Sequence, residues 1–159
     1  MCRPKPTLNP RACAVVLQAG RVLLSRAETD LFWALPGGRI EPGETSDRAL
    51  LREMSEELGL RAHVGRLIWV VENKFTYKGR RFDEIGFYYL VDLPEENAVP
   101  QNGEFRAVES HLRFRWLSLD EIAGIDIRPT FLRGRLPSLP DGIEHLQVVD
   151  PFEEGGAEC

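Results

Sequence analysis

One stretch of this 159-residue chain changes its hydrophobic period, and that change limits the fold more than any other feature. From Thr45 to Leu58 the apolar residues recur at helical spacing. A turn-forming Glu41-Pro42-Gly43-Glu44 precedes this stretch, and Gly59 follows it. Thr45 or Ser46 suits a helix N-cap, Asp47 suits the first turn, and Gly59 suits the residue just past the end. The chain on either side reads as extended. Ala12–Leu17 and Val22–Leu24 are short apolar runs around a hairpin signal, Gln18-Ala19-Gly20-Arg21. Trp33–Leu35 runs into a Pro36-Gly37-Gly38 loop. Residues 62–77 and 82–92 are rich in β-branched and aromatic residues and flank the turn signal Lys78-Gly79. A polar loop covers residues 93–103. A short strand follows at Phe114–Leu117, then a short helix over Leu119–Ala123 capped by Ser118, and a second helix near Pro129 carrying Phe131 and Leu132. The pattern predicts one domain over residues 1–159, a mixed sheet with helices packed on it. About ten residues at the start and residues 151–159 at the end are expected to be irregular tails.

On a helical wheel Leu50, Leu51, Met54 and Leu58 share one arc. Glu53, Glu56 and Glu57 occupy an adjacent arc of roughly 100°. Like charges at these spacings weaken a helix by about a few tenths of a kcal/mol per pair. Taken alone, three such glutamates more often make a solvated face than a site. A positive partner between them is the alternative, and hard divalent cations such as magnesium choose carboxylate oxygen. No histidine or cysteine lies near them in sequence, which argues against zinc. His63, His111 and His145 are far apart and give no metal pattern.

The net charge of −5 excludes a general nucleic-acid binder that works by charge. Cys2, Cys13 and Cys159 have no CxxC spacing and read as free thiols in a reducing compartment, the cytoplasm. No apolar run reaches the length of a bilayer span, and no apolar run backs the first residues as in an export signal.

The glutamates belong to a longer pattern: Gly38, five residues, Glu44, seven residues, then Arg52-Glu53-Met54-Ser55-Glu56-Glu57-Leu58-Gly59-Leu60. This resembles the signature of the Nudix hydrolase family, of the MutT type, at every specified position. Such a match arises by chance with a probability on the order of one in ten million. The resemblance implies a Nudix-type α/β/α sandwich with a mixed β-sheet, and metal-dependent hydrolysis of a phosphoanhydride bond. The substrate would be a small nucleoside-diphosphate-linked molecule: a nucleoside triphosphate, sugar nucleotide or dinucleotide. It implies Mg2+ as cofactor, with Mn2+ able to substitute. Glu53, Glu56 and Glu57 match the metal-binding carboxylates, with Glu53 either a ligand or the base that takes a proton from water. A carbonyl oxygen at Gly38 would join the metal shell. Arg52 matches an arginine that orients the carboxylates, and Glu44 one that supports the loop through Arg52. A further carboxylate from outside the signature is expected among Glu84, Glu104 and Glu109.

Arg26 and Arg81 are candidates for binding substrate phosphate, with Lys74 and Arg80 as weaker ones, because guanidinium geometry suits phosphate oxygens. Glu84 is also a candidate for contacting substrate. Phe75, Tyr77 and Tyr88 could stack on a base, while Trp33, Trp69 and Trp116 read as core or rim. The rival reading is a non-catalytic nucleotide-binding regulatory module on the same fold, which loss of a signature carboxylate would favour. No carboxylate is lost. The expected partners exclude stable nucleic acid and membrane, and the chain is expected to be a monomer or homodimer.

Overall fold

The computed structural model describes residues 4–108 and 111–149. Among the described residues, nine strands form two sheets. In the first, β4 (Gly37–Arg39), β1 (Thr7–Val15), β6 (Arg80–Asp92), β5 (His63–Tyr77) and β9 (Glu144–Val149) lie side by side in that order. It is mixed: β1 runs parallel to β6 and β5 parallel to β9, while β1–β4 and β5–β6 are antiparallel. In the second, β2 (Leu17–Gln18), β3 (Arg21–Ala27), β8 (Leu112–Ser118) and β7 (Phe105–Arg106) pair antiparallel throughout.

The main helix, α1, spans Ser46–Leu58 with Thr45 as N-cap, as the sequence predicts. Thr45 Oγ1 bonds Asp47 Oδ1 and makes no side-chain cap to the backbone. Gly59 ends the helix at φ +68°, and its N–H bonds the Ser55 carbonyl; a Cβ in that left-handed conformation would be strained. Ala49, Leu50 and Met54 are fully buried against Ala12, Ala14 and Val91 of the first sheet, and against Leu23, Phe114 and Trp116 of the second. Leu51 and Leu58, expected on the same apolar face, are half-buried. Burying Leu50 and Met54 stabilises the docked helix by about 1.5–3 kcal/mol each.

The opposite face of the sheets forms a second core. Cys13, Val15, Trp69, Val71 and Tyr88 meet Val22, Leu24 and Leu117 there, covered by Ile122 of a 3-10 turn (Ile122–Gly124) and by Leu132 of a short helix, α2 (Leu132–Arg135). Strand alternation therefore sends Leu23 to one core and Leu24 to the other. Helical elements outside both faces make the expected α/β/α sandwich.

Several boundaries differ from the sequence reading. The first residues are not all irregular, because β1 starts at Thr7 and pairs with β6 over nine consecutive positions. Long-range pairing overrides local signals there, and Pro10 is accommodated within the strand. The helix expected over Leu119–Ala123 is a 3-10 turn shifted towards Gly124, with Asp120 N–H bonded to Ser118 Oγ. β9 has no forecast at all: its alternation is only three residues deep, and it forms by adding to the edge of β5. Residues 151–159 lie outside the described residues. No helix among those described is long and apolar enough to cross a membrane.

Candidate active site

The N-terminal approach to α1 is knit by one guanidinium. Arg52 Nε and Nη2 each donate to a Glu44 carboxylate oxygen at 2.8 Å, a bidentate pair. Nη2 also donates to the Arg39 carbonyl at 3.0 Å. Nη1 donates to Glu53 at 3.0 Å and to Glu56 at 3.2 Å. Glu44 Oε1, which accepts from Arg52 Nη2, also accepts the Glu41 N–H at 2.9 Å, which closes the turn. Arg52 and the loop bonds hold the Glu44 carboxyl down to about 2, with the Arg52 hydrogen bonds as the main cause. Arg52 thus fixes a loop, the helix and two of the three signature carboxylates at once.

Glu53 projects towards β4. A Cβ placed on Gly38 would fall onto the Glu53 carboxylate, so only glycine lets backbone and carboxylate lie this close. The next residue back, Gly37, passes so near the Ala12 carbonyl that a Cβ there would overlap the β1 backbone. Burial raises the Glu53 carboxyl above the ordinary carboxylate range; the Arg52 bond and charge oppose this, and the Glu56 charge adds to it. Glu57 is 5 % exposed, although its arc was read as the polar face. It sits where the helix turns towards the sheet edge, and its backbone carbonyl accepts the Val108 N–H at 2.9 Å. Glu56 stays on the surface.

Glu53 and Glu57 open onto a cleft of about 800 Å3 floored by the first sheet. Asn9 on β1, Glu84 on β6, Asn73 on β5 and Val148 on β9 are register neighbours that cross this floor in one row. Arg11 lies in the next row towards α1, opposite Gly86. Phe75 and Phe82, stacked at 5.4 Å, lie in the row beyond. Phe32, Tyr77, Asp30 and Arg128 form a rim. The Tyr77 hydroxyl donates to Asp30 at 2.7 Å, and the Arg128 guanidinium sits 4.6 Å over the Phe32 ring.

The structure sorts the candidates from sequence. Glu53, Glu57, Glu84 and Arg26 line the cleft; Glu44, Arg52 and Glu56 stand behind it. Arg26 stacks over Trp33 at 5.2 Å and pairs with Glu104 at 3.5 Å. Glu104 itself is exposed and does not line the cleft. Arg81 is a correction: alternation along β6 places it on the opposite face from Phe82 and Glu84, and it does not line the cleft. Lys74 pairs with Asp83 and Arg80 bonds Thr7, so both serve the surface of the β5–β6 hairpin. Phe75, Tyr77 and Tyr88 line the cleft, with Tyr88 itself buried. Trp33, Trp69 and Trp116 are core. Glu109 lies outside the described residues. Sequence reading missed Asn9, Arg11 and Asn73. The available signal was a polar residue on the inward phase of a strand, as in Val71-x-Asn73-x-Phe75.

Among the described residues, no three His, Cys, Asp or Glu side chains already converge at ion-binding spacing. The donor set nonetheless fits a hard divalent cation. It consists of carboxylate oxygens, and the glycine at position 38 brings Glu53 against the backbone of β4. Arg52 supplies part of the positive charge that holds Glu53 and Glu56 side by side.

The NUDIX domain family model matches residues 7–137. The chain therefore belongs to the Nudix hydrolase family. It is 30% identical over 124 residues to the nucleoside triphosphatase NudI of Escherichia coli, covering 72% of this chain and 85% of that protein. It is 29% identical over 100 residues to the asymmetrical bis(5'-nucleosyl)-tetraphosphatase of Mus musculus, covering 63% of this chain. The match spans 65% of that relative's length. In structure it resembles the MutT protein of Bacillus halodurans, with a TM-score of 0.65, 20% identity, and coverage of 91% of this chain and 93% of that one. At that identity the likeness concerns the fold alone.

Proposed function

We propose that this chain hydrolyses a phosphoanhydride bond in a nucleoside-diphosphate-linked small molecule in the cleft described above, with Mg2+ as cofactor. The observation that carries this reading is the placement of Glu53 and Glu57, two of the three signature carboxylates, in the lining of a cleft large enough for a nucleotide. Glu53, Glu56, Glu57 and the Gly38 carbonyl would hold the cation, and Mn2+ would substitute. Such an ion, when bound, neutralises phosphate oxygens and lowers the pKa of a bound water.

The protein's own residues supply positioning. Arg52 holds the Glu53 carboxylate in one orientation, so little rearrangement is needed when substrate arrives. Glu53 is either one of the cation's ligands or the base that takes a proton from the attacking water. Arg26, at the cleft wall, offers a planar donor fork to phosphate oxygens. The named relatives support a nucleotide substrate. The test is a panel of nucleoside triphosphates, sugar nucleotides and dinucleotides incubated with magnesium, reading released phosphate or pyrophosphate. Turnover of at least one compound, abolished by chelation and by Glu53→Gln, is expected. A wild-type protein that binds nucleotides but turns none over would favour the regulatory module.

A further inference from the structure

The polar strip on the cleft floor is under-bonded in a way the catalytic helix does not explain. Glu84 is 8 % exposed, yet among the described residues its side chain makes one long hydrogen bond, 3.4 Å from Asn9 Nδ2, and no ion pair within 4 Å. Buried carboxylates ordinarily have close partners. Asn73 is 7 % exposed, and among the described residues its Oδ1 has no hydrogen-bond partner. Arg11 feels the charges of Glu84 and Glu57, and the Cys13 thiol is its side-chain hydrogen-bond contact. The strip therefore holds three acceptor oxygens, two on Glu84 and one on Asn73, beside the donor fork of Arg11.

A polyphosphate does not fit this set, because Glu84 would repel it and Asn73 would still lack a donor. A planar heterocycle does fit. Phe75 and Phe82 lie in the adjacent row and Phe32 stands at the rim, so ring faces are available beside the polar floor. Among the common bases, guanine alone presents two neighbouring N–H sites, N1–H and the 2-amino group, next to a carbonyl oxygen. Those two sites match both oxygens of one carboxylate, and O6 is an acceptor for arginine. Adenine has a single amino group and no carbonyl, and would leave Arg11 or a Glu84 oxygen unmet.

We propose that Glu84, Arg11 and Asn73 read the base of the substrate, and that the base they select is guanine or one with the same donor–donor–acceptor edge. This rests on the reading of the cleft as a nucleotide-hydrolysing site. It assigns Glu84 to recognition, not to the chemical step.

The experiment compares GTP, ITP and ATP with the full-length protein at saturating magnesium, and separately measures calorimetric binding of GMP and AMP in chelator. ITP lacks the 2-amino group and isolates that contact. The expected order of kcat/KM is GTP, then ITP, then ATP, with about ten- to a hundredfold between the extremes, the size of a bidentate contact. GMP should bind more tightly than AMP without metal. Glu84→Gln should collapse the GTP-to-ATP ratio through KM. Arg11→Gln, at a half-buried position, should weaken GTP and ITP alike, and it gives an independent reading should Glu84→Gln fold poorly. Equal affinity for GMP and AMP would overturn the proposal. So would a Glu84→Gln variant that lowers kcat by the same factor on all three nucleotides, since that places Glu84 in the chemistry. Absence of hydrolysis by the wild type with GMP still preferred over AMP would instead strike the catalytic reading and leave the recognition strip standing.

Discussion

Two acidic regions of this protein differ in how their charges are satisfied. On α1, Arg52 binds Glu44, Glu53 and Glu56, and the Arg39 carbonyl completes its ring of acceptors. On the cleft floor, Glu84 and Asn73 are more deeply buried but almost unbonded. A satisfied network costs little to preserve and holds its members in one geometry. An unsatisfied buried strip costs stability unless a ligand completes it. The first arrangement suits groups that must be in place before substrate arrives. The second suits groups whose partners arrive with it.

The largest expected effect tests the first arrangement. Glu53→Gln keeps the shape and loses the base, so kcat at saturating magnesium should fall about a hundredfold to ten-thousandfold, measured on whichever substrate the panel identifies. Near wild-type turnover would show that Glu53 is neither the base nor an essential ligand. Glu57→Gln should weaken manganese binding by about tenfold or more by calorimetry, at least the loss seen when groups supporting a metal ligand are removed. Equal affinity in variant and wild type would exclude Glu57 from the cation site. Arg52→Ala should reduce kcat less than Glu53→Gln, because it orients the carboxylates without touching the reacting atoms. An equal or greater loss would mean Arg52 contacts the phosphates directly.

A smaller effect reads the network through pH. The folded Glu44 carboxyl sits near 2, below its ordinary value of 4.5. Its contribution to stability is therefore present above the unfolded value and lost as pH falls towards the folded one. In urea titrations the wild type should exceed Glu44→Gln by a constant margin at pH 6, and the margin should shrink steadily from about pH 4.5 downwards. A margin independent of pH would show that the Arg52–Glu44 pair adds no pH-linked stability. The smallest effect belongs to Glu56→Gln. Glu56 is half-exposed and shares Arg52 with two other carboxylates, so the metal-free melting temperature should stay the same or rise slightly. A large drop would make the α1 network a structural requirement and erase the contrast with the floor.

What could be read from sequence follows the range of the interactions. The helix from Ser46 to Leu58, its end at Gly59, the hairpin turns at Ala19-Gly20 and Lys78-Gly79, and the Glu44–Arg52 support were all legible because their determinants lie within about 20 residues. The carboxylates of α1 were legible for the same reason, since helix geometry alone puts Glu53, Glu56 and Glu57 on one side. The burial of Glu57 was not legible, because it depends on where the sheet edge and the Val108 backbone fall around the helix. Arg81 and Glu84 looked equivalent in sequence. Alternation along β6 puts them on opposite faces, but which of those faces lines the cleft was decided by the packing of the sheet.

The sequence by itself determined the main helix and its carboxylate face, because periodicity along one continuous segment is enough to specify them; the class of chemistry came from the resemblance of the longer signature to the Nudix family. Only the tertiary structure decided which distant residues share the cleft with that helix. Asn9, Glu84 and Asn73 are neighbours because β1 pairs parallel with β6 and β6 pairs antiparallel with β5. Strand register is set by non-local hydrogen bonds and by which face is buried, and a shift of one residue would have put every one of these side chains on the other side of the sheet.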